Sequence, residues 1–293
     1  MQPPKTKIFV TGSNGQLGQE LQALAPGSSK LNFFFFDRTN MPIENFEAVK
    51  TFFNRERPEW CINCAAFTAV DKAESEKETA FLTNGEATGN LATACRNNNT
   101  RLIHLSTDYV FDGNSSDPLK ETDPTAPINT YGASKLSGEH KVLRNHPTGT
   151  AIIRTSWVYS EFGNNFVKTM IRLMKERPTV NVVNDQIGSP TYAADLAAAI
   201  LHIIAYPTFT PGLYNYSNNG RISWYEFALA IRDAIGSTCT VNPIPTTQFP
   251  TPAKRPRFSL LDKTLIHDTY QVPIPDWHPS LLTCLKKLGF PTN

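Results

Sequence analysis

The chain has 293 residues and a formal net charge of +2, so it can bury a large core as one large domain or two closely joined ones. A net charge this small gives no general field that would attract nucleic acid or an anionic membrane. No apolar run approaches the roughly 20 residues of a membrane span, and the N-terminus lacks the apolar segment of a signal peptide. We therefore expect a cytoplasmic protein with no nucleic-acid or membrane partner.

The five cysteines are odd in number and scattered, which is typical of a reducing compartment. Cys61 and Cys64 form a Cys-x-x-Cys pair, but no second pair is present to complete a zinc site. Because the pair lies in an apolar stretch, we predict that both are buried strand cysteines. The six histidines show no ligand spacing. These residue types therefore predict no metal site.

A strand predicted at residues 7–11 runs into a glycine-rich turn. Gly12, Gly15 and Gly18 have the spacing Gly-x-x-Gly-x-x-Gly, and a helix is predicted from Gly15 to Leu24. Glycine lets the backbone turn tightly and approach a pyrophosphate, while the start of the helix offers free amides and positive dipole. The third glycine lets helix and strand pack closely. With a strand before it and a helix after it, the turn predicts a dinucleotide site.

The second predicted strand, Leu31–Phe36, is followed by Asp37, about 20 residues beyond the glycine turn. An acid at this position accepts hydrogen bonds from the ribose hydroxyls of a dinucleotide. The alternative is that Asp37 only begins a loop. Arg38, the next residue, can contact the 2′-phosphate of NADPH, so the pair leaves the choice between NADH and NADPH open.

Strands and helices continue to alternate through the first half of the chain. The predicted elements are a helix at Phe46–Glu56, a strand at Trp60–Cys64, a helix at about Thr79–Asn97, and strands at Leu102–Thr107 and Thr150–Arg154. Alternation of this kind predicts a parallel, doubly wound sheet, whose ligands bind at the carboxyl ends of the strands. The small residues after the third strand and the hydroxyl residues that end the fourth fall at that edge.

Tyr131 is followed four positions later by Lys135. On a helix the two side chains share one face. An ammonium beside a phenol favours the phenolate, so we expect the pKa of Tyr131 to be lowered, which would suit a general acid or base. Taken alone, the pair has a second interpretation as two residues on a helix surface.

The second half of the chain mixes helices with short strands and ends in a proline-rich tail. We therefore predict an α/β fold with a doubly wound parallel sheet of the Rossmann type and a smaller mixed C-terminal lobe for the substrate. The predicted cofactor domain comprises residues 1–158 and 189–207. The predicted substrate-binding lobe comprises residues 159–188 and 208–293.

The glycine turn, the strand that ends in Ser106-Thr107, and the Tyr131/Lys135 pair together resemble the extended short-chain dehydrogenases/reductases. Within them, later blocks are similar to the dTDP-4-dehydrorhamnose reductase family, and the resemblance covers nearly the whole chain. These blocks lie at residues 69–74, 106–111, 154–159, 163–166, 184–191 and 251–256. The resemblance implies a dTDP-sugar substrate, NADPH or NADH as cofactor, and a homodimer as a possible assembly.

The resemblance also implies individual roles. Tyr131 would donate the proton, Lys135 would assist it and bind the ribose, and Thr107 would hydrogen-bond the substrate carbonyl. The expected cofactor-binding residues, besides Tyr131 and Lys135, are Gly12, Asn14, Gly15, Gln16, Leu17, Gly18, Asp37, Arg38, Ile43, Ala65, Ala66 and Phe67. The expected substrate-binding residues are Thr68, Val70, Thr107, Asp108, Trp157 and Asn165.

Two departures from the family pattern limit what carries over. An acid followed by an aliphatic residue often touches the adenine, but this chain has Pro42-Ile43, so only Ile43 carries over. Some relatives bridge a dimer through magnesium bound by glutamates. Glu20 matches one of those positions, but Ala194 replaces another, so we expect no metal.

Three alternatives share much of this pattern. A reductase or epimerase of another nucleotide sugar would keep the catalytic residues but differ in the later blocks. A non-catalytic relative, the regulatory subunit of methionine adenosyltransferase, keeps the fold without the Ser-Trp-Val-Tyr block that stands here at residues 156–159. A dinucleotide sensor would bind NADPH without turning over any sugar.

Overall fold

The first half of the chain alternates strands with helices in a computed structural model that describes residues 5–291. Its elements are β1 (Thr6–Thr11), α1 (Gln16–Leu24), β2 (Leu31–Phe36), α2 (Phe46–Glu56), β3 (Trp60–Asn63), α3 (Val70–Ala73), α4 (Lys77–Phe81), α5 (Thr88–Asn97), β4 (Arg101–Thr107), α6 (Thr130–Asn145) and β5 (Thr150–Thr155). A π-helical turn, Leu82–Ala87, joins α4 to α5. The single helix predicted at about Thr79–Asn97 is therefore interrupted in its first half.

The second half contains shorter strands and five further helices among the described residues. Its elements are β6 (Val158–Tyr159), α7 (Phe166–Glu176), β7 (Thr179–Val183), β8 (Ile187–Gly188), β9 (Thr191–Tyr192), α8 (Ala193–Ala205), β10 (Gly212–Asn215), β11 (Ile222–Ser223), α9 (Trp224–Ala234), β12 (Thr240–Ile244), α10 (Thr264–Tyr270) and α11 (Trp277–Lys287). Helix α9 begins with a capping box, in which the side chains of Ser223 and Glu226 each bond the other's backbone amide.

The central sheet has six strands in the order β10-β5-β4-β3-β1-β2, and every neighbouring pair is parallel. Successive residues of β1 point to opposite faces, as strand geometry requires. Ile8 and Val10 pack in one buried apolar cluster with residues of α1 and α8. Phe9 packs in another cluster with residues of α2, α5 and α6. The predicted doubly wound parallel sheet is confirmed.

A smaller region packs around its own apolar cluster, which contains buried residues of α7, α9 and α11 such as Val167, Phe227 and Leu281. Its strands form three pairs, β7 with β12, β8 with β11 and β6 with β9. The division of the chain at residues 158, 188 and 207 stays a prediction. One detail of it differs from the structure, because β10 lies inside the range assigned to the lobe yet forms the edge of the central sheet. A strand of four residues with little alternation gave no sign of this in the sequence.

Candidate active site

A cleft of about 770 Å³ lies along the carboxyl ends of the central strands. The cleft brings together every site residue predicted from the sequence except Asn165. Their individual roles stay predictions, but their convergence agrees with the rule that ligands of parallel sheets bind at this edge. The cleft is also lined by residues that the sequence did not indicate, among them Glu44, Thr83, Val158, Leu196 and Trp224.

The glycine turn forms one end of the cleft. Gly12 has a positive φ of 65°, and a side chain there would bring a Cβ within 2.6 Å of the backbone nitrogen of Ala65. A Cβ on Gly18 would lie 2.5 Å from the carbonyl oxygen of Gly12. Gly15 caps α1 without any side-chain hydrogen bond, so the first amides of the helix stay available to an anion. This local geometry fits a dinucleotide pyrophosphate.

Asp37 follows β2 at the same end of the cleft. Its Oδ1 accepts hydrogen bonds from the amides of Thr39 and Asn40, at 2.8 and 2.9 Å. Its Oδ2 accepts one from the side-chain amide of Asn14 at 2.5 Å. These bonds, led by the one from Asn40, hold the pKa of Asp37 below its ordinary value, so the carboxylate is ionised at neutral pH. Arg38 beside it is exposed and lines the cleft.

Helix α6 carries Tyr131 and Lys135 to the middle of the cleft. The side chain of Asn129 caps the helix by accepting a hydrogen bond from the amide of Gly132 at 2.7 Å. A side chain on Gly132 would bring a Cβ within 2.1 Å of the carbonyl oxygen of Tyr109, so only glycine allows this close contact between α6 and the segment after β4. The contact fixes the first turn of α6 beside Thr107.

Burial controls the pKa values of the predicted catalytic pair. It raises the pKa of Tyr131 to about 12, although a hydrogen bond with Thr107 opposes the rise. It lowers the pKa of Lys135 to about 8. The Nζ atom of Lys135 donates to the carbonyl of Leu105 at 2.6 Å. The expectation of a lowered phenol pKa was therefore wrong for the protein alone, because loss of solvation, with the charge of Asp108, outweighs the hydrogen bond with Thr107.

A buried ion pair holds α6 against the sheet. Glu139 follows Lys135 by four residues, so Tyr131, Lys135 and Glu139 lie along one face of the helix. Arg154 of β5 bonds both oxygens of Glu139, at 2.9 and 2.7 Å, and Ser106 of β4 donates to the same carboxylate at 2.5 Å. These contacts join the helix that bears Tyr131 and Lys135 to the two strands beside it. They leave no motif in the sequence, since the partners are far apart in the chain.

Asp108, next to Thr107, lies in the same part of the cleft and is 2% exposed. The hydroxyl of Thr107 donates to its Oδ1 at 3.0 Å, whereas its Oδ2 has no hydrogen-bond partner. Burial raises the pKa of this carboxyl to about 7. A buried oxygen without a partner is rare in folded proteins.

Trp157 lines the cleft where β5 leads into β6, and its ring stacks on that of Trp224. Asn165, predicted to contact substrate, does not line the cleft. Its side chain caps α7 and donates to Oε1 of Gln16 at 2.9 Å and to the carbonyl of Ser160 at 2.7 Å. The structure therefore gives Asn165 a contact with a cleft residue, and its direct contact with substrate stays a prediction.

Two of the sequence blocks meet across the molecule. Asp71, in the block at residues 69–74, forms a two-point ion pair with Arg255, in the block at residues 251–256, at 2.9 and 3.1 Å. Glu74 accepts hydrogen bonds from the amide and the hydroxyl of Thr130, at 2.8 and 2.9 Å. The first block therefore anchors both the C-terminal segment and the start of α6.

Glu20 lies outside the cleft and is 1% exposed. It accepts a hydrogen bond from the hydroxyl of Ser160 at 2.6 Å and lies 3.9 Å from the ammonium of Lys287, which also pairs with Glu161 at 2.7 Å. Burial raises the pKa of Glu20 to about 7. Within residues 5–291 no three His, Cys, Asp or Glu residues group as metal ligands, and no helix there is long and apolar enough to span a bilayer.

A parallel sheet with a glycine turn, an acid after β2, and Thr, Tyr and Lys at one cleft is the arrangement of a short-chain dehydrogenase/reductase of the extended type. The sequence model of the family described as the RmlD substrate binding domain matches residues 6–290. The dTDP-4-dehydrorhamnose reductase of Aggregatibacter actinomycetemcomitans is 39% identical over 285 residues, covering 94% of this chain and 97% of that protein. The chain therefore belongs to the dTDP-4-dehydrorhamnose reductase family, as its sequence blocks predicted.

Two further comparisons bear on the cleft. The crystal structure of dTDP-4-dehydrorhamnose reductase from Bacillus anthracis in complex with NADP has a TM-score of 0.92 and 40% identity, covering 97% of this chain and 99% of that one. A dTDP-4-keto-6-deoxy-D-glucose reductase of Streptomyces niveus is 37% identical over 274 residues, covering 93% of this chain and 94% of that protein. The family thus includes relatives named for two different sugars.

Proposed function

We propose that the protein reduces dTDP-4-dehydro-L-rhamnose to dTDP-L-rhamnose with NADPH or NADH as the hydride donor. The observation that carries this proposal is the convergence of Thr107, Tyr131 and Lys135 beside the glycine turn in one cleft. Membership of the family, over nearly the whole chain, supports the choice of substrate.

The residues at the glycine end fit a nicotinamide dinucleotide. Gly12, Gly15 and Gly18 leave room for a pyrophosphate, and the open amides at the start of α1 would bond it. Asp37 lines the same end of the cleft and is proposed to accept hydrogen bonds from the adenosine ribose. The cofactor would supply a hydride to the keto carbon of the sugar. Ile43, Ala65, Ala66 and Phe67 supply apolar and small surfaces along the same side of the cleft.

The reaction leaves negative charge on the ketone oxygen, and the protein must neutralise it. Thr107 and Tyr131 are proposed to hydrogen-bond this oxygen, and Tyr131 to donate its proton. A pKa raised to about 12 keeps Tyr131 protonated at neutral pH, so it begins the reaction as an acid. The ammonium of Lys135 is proposed to stabilise the phenolate that results, and burial strengthens that attraction.

Asp108, Thr68, Val70 and Trp157 are proposed to hold the sugar. Asp108 lines the cleft and is proposed to accept from a sugar hydroxyl, and the indole of Trp157 offers an apolar surface to the ring. Asp37 and Arg38 act in opposite directions on cofactor choice. The carboxylate favours NADH and repels a 2′-phosphate, whereas Arg38 can bind that phosphate, so we propose an enzyme that uses both cofactors.

A second candidate substrate is dTDP-4-keto-6-deoxy-D-glucose. The 37% identity to a relative named for that reduction favours it. This sugar has the same keto group and the same nucleotide, so the contacts proposed for Thr107 and Tyr131 would serve both substrates. The two sugars differ in ring configuration. The residues proposed to hold the sugar, which form the sugar end of the cleft, must distinguish the two configurations.

The decisive experiment measures NAD(P)H oxidation after addition of freshly made dTDP-4-dehydro-L-rhamnose, with the product identified by mass and NMR. A parallel reaction uses dTDP-4-keto-6-deoxy-D-glucose. We expect oxidation with the first sugar at the higher kcat/KM. Faster reduction of the second sugar would replace the proposed substrate, and tight cofactor binding with no oxidation by either would favour a dinucleotide sensor or a regulatory subunit.

Two expectations from the sequence also stay proposals, a cytoplasmic location and a homodimer. The scattered, odd-numbered cysteines support the first. Cell fractionation tests the location, and light scattering of the purified protein tests the assembly.

A further inference from the structure

Trp157 has an uncommon backbone conformation for a bulky residue. Its φ is +49°, in the left-handed region that residues other than glycine, asparagine and aspartate rarely adopt. Such a conformation persists only where the surrounding structure holds it, and it is concentrated at ligand sites. Trp157 lies in the cleft at the end of β5, and its carbonyl accepts a hydrogen bond from the amide of Thr191 at 3.2 Å.

Two neighbours fix the indole of Trp157. A side chain on Gly188 would bring a Cβ within 2.9 Å of two of the indole carbons, so the ring rests directly against the glycine backbone. One face of the ring is covered by the indole of Trp224, with the ring centres 3.7 Å apart and the planes inclined by 13°. Among residues 5–291 no other pair of tryptophans is stacked.

Trp224 is itself held firmly. It is the first residue of α9 and lies inside the capping box in which Ser223 and Glu226 bond each other at 2.7 and 3.1 Å. The ring of Phe166 packs on it with the centres 4.6 Å apart. A capped helix start and an aromatic neighbour therefore fix the ring that covers Trp157.

We propose that Trp224 is a positioning residue for the sugar end of the cleft. Its indole holds Trp157 in the left-handed conformation, and the two rings form one apolar wall against which the pyranose ring of a sugar nucleotide packs. The inference rests on the proposed function, because it names how the same cleft selects its sugar. An aromatic surface suits the C–H groups of a pyranose, which leaves the hydroxyl groups to polar residues such as Asp108.

A purely structural role for Trp224 is the competing explanation, since it also belongs to the apolar cluster of the smaller region. Trp277 provides a matched control within that cluster. It packs edge-on against Phe227 at 5.9 Å and does not line the cleft. Loss of Trp277 therefore weakens the same cluster without touching the proposed wall.

The experiment compares Trp224→Leu, Trp224→Phe and Trp277→Leu with the unaltered protein. Far-ultraviolet circular dichroism monitors the stack, because two indoles in contact give an exciton couplet when their transition dipoles are skewed relative to each other. Kinetics give kcat and the KM of dTDP-4-dehydro-L-rhamnose, and fluorescence titration gives the Kd of NADPH. The Kd of dTDP-glucose, which has no keto group, measures sugar binding without turnover.

We expect Trp224→Leu to lose the couplet and raise the sugar KM and the dTDP-glucose Kd about fivefold, with the NADPH Kd within about twofold. Trp224→Phe should recover most of the affinity, leaving a rise of about twofold. Trp277→Leu should keep both the couplet and the KM. The inference would be overturned if Trp224→Leu lost the couplet but kept its sugar affinity. It would also be overturned if Trp277→Leu raised the sugar KM as much as Trp224→Leu does.

If Trp224→Leu does not fold, Trp224→Phe carries the test, and unchanged sugar affinity in that variant overturns the inference. Failure of the proposed function would look different. The unaltered protein would then not reduce the keto sugar, while the dTDP-glucose Kd would still report whether the wall binds sugar nucleotides.

Discussion

The two ends of the cleft are built in different ways. The cofactor end comes from consecutive elements, β1 to β3, and consists largely of backbone atoms and small residues such as Gly12 and Ala65. The sugar end is assembled from side chains far apart in the chain, including Thr107, Trp157 and Trp224. Backbone geometry requires particular small residues at fixed spacing, so it leaves a motif, whereas packing between distant side chains leaves none.

The same residue type also behaves in opposite ways at the two ends. Asp37 is solvated and hydrogen-bonded, which lowers its pKa, and it stays ionised. Asp108 is buried, which raises its pKa to about 7. The cofactor end is therefore prepared for hydroxyl donors by a fixed charge. The sugar end holds a carboxyl whose charge depends on pH and on the ligand.

The largest expected effect is a loss of turnover on substitution of Tyr131, which lies between the cofactor end and the sugar end. Tyr131→Phe removes the proposed proton donor but keeps the ring, so kcat should fall by about 10²–10⁴, the range typical of acid–base groups. The NADPH Kd should stay nearly the same. Stopped-flow kinetics and fluorescence titration measure the two quantities, with Tyr225→Phe on the partly exposed face of α9 as a control. Near-normal turnover would show that Tyr131 is not the acid.

A second test concerns the contact between α1 of the cofactor end and α11 of the smaller region. Burial raises the pKa of Glu20 to about 7, so the folded state holds this proton more tightly than the unfolded state does. The contribution of this group to the free energy of unfolding is fully present below about pH 4.5 and is lost as pH rises through 7. Glu20→Gln removes this loss. Between pH 5 and 7.5 the free energy of unfolding of the unaltered protein should therefore fall by about 1–3 kcal/mol more than that of the variant.

Urea denaturation at the two pH values measures this difference. Glu176→Gln is the matched control, because Glu176 lies on the surface of α7 in an exposed pair with Arg172. The control should follow the unaltered protein. Equal pH dependence in Glu20→Gln would mean that Glu20 titrates normally in the folded state.

Cofactor choice tests whether the cofactor end binds its ligand through side chains as well as through backbone atoms. Arg38→Ala should lower kcat/KM for NADPH about tenfold or more and change that for NADH little, because only NADPH carries the 2′-phosphate. Asp37→Ala should instead reduce NADH use first. The same loss for both cofactors in Arg38→Ala would show that the guanidinium does not contact the phosphate.

The smallest effect is expected at the sugar end. Trp157→Ala should raise the sugar KM about tenfold or somewhat less while the NADPH Kd stays nearly constant, because in our proposal the indole contacts the sugar and not the cofactor. Trp157→Phe should give a smaller rise. A variant that loses NADPH binding or unfolds would return Trp157 to a purely structural role and remove the contrast between the two ends.

Much of the central fold could be read from the sequence because local rules fix it. The bounds of β2 and α2 were predicted to the residue, since apolar runs and a following proline mark them. The glycine turn and the Tyr131/Lys135 pair, both recognised by their spacing in the sequence, likewise line the cleft. The strand β10 and the π-helical turn were missed, because pairing at a sheet edge and a local change of helical pitch depend on neighbours distant in sequence.

The errors in the site have the same origin. The pKa of Tyr131 rises because the cleft buries it, and burial is a property of the assembled molecule. The contact of Asn165 with substrate stays a prediction, but its bond to Gln16 across the join between the two regions was not foreseen. The buried pair of Glu139 with Arg154 was not found because its members lie on α6 and β5, with no shared motif.

The position of β10 at the sheet edge has a consequence for synthesis of the chain. Strand β5 is complete at residue 155, but its edge stays open until residues 212–215 have left the ribosome. An unpaired edge beside buried apolar strands is a template for association with other chains. Ile266 and Tyr270, which complete the cluster on one face of the sheet, emerge later still. We therefore expect the nascent chain to depend on chaperones until its last third has been made.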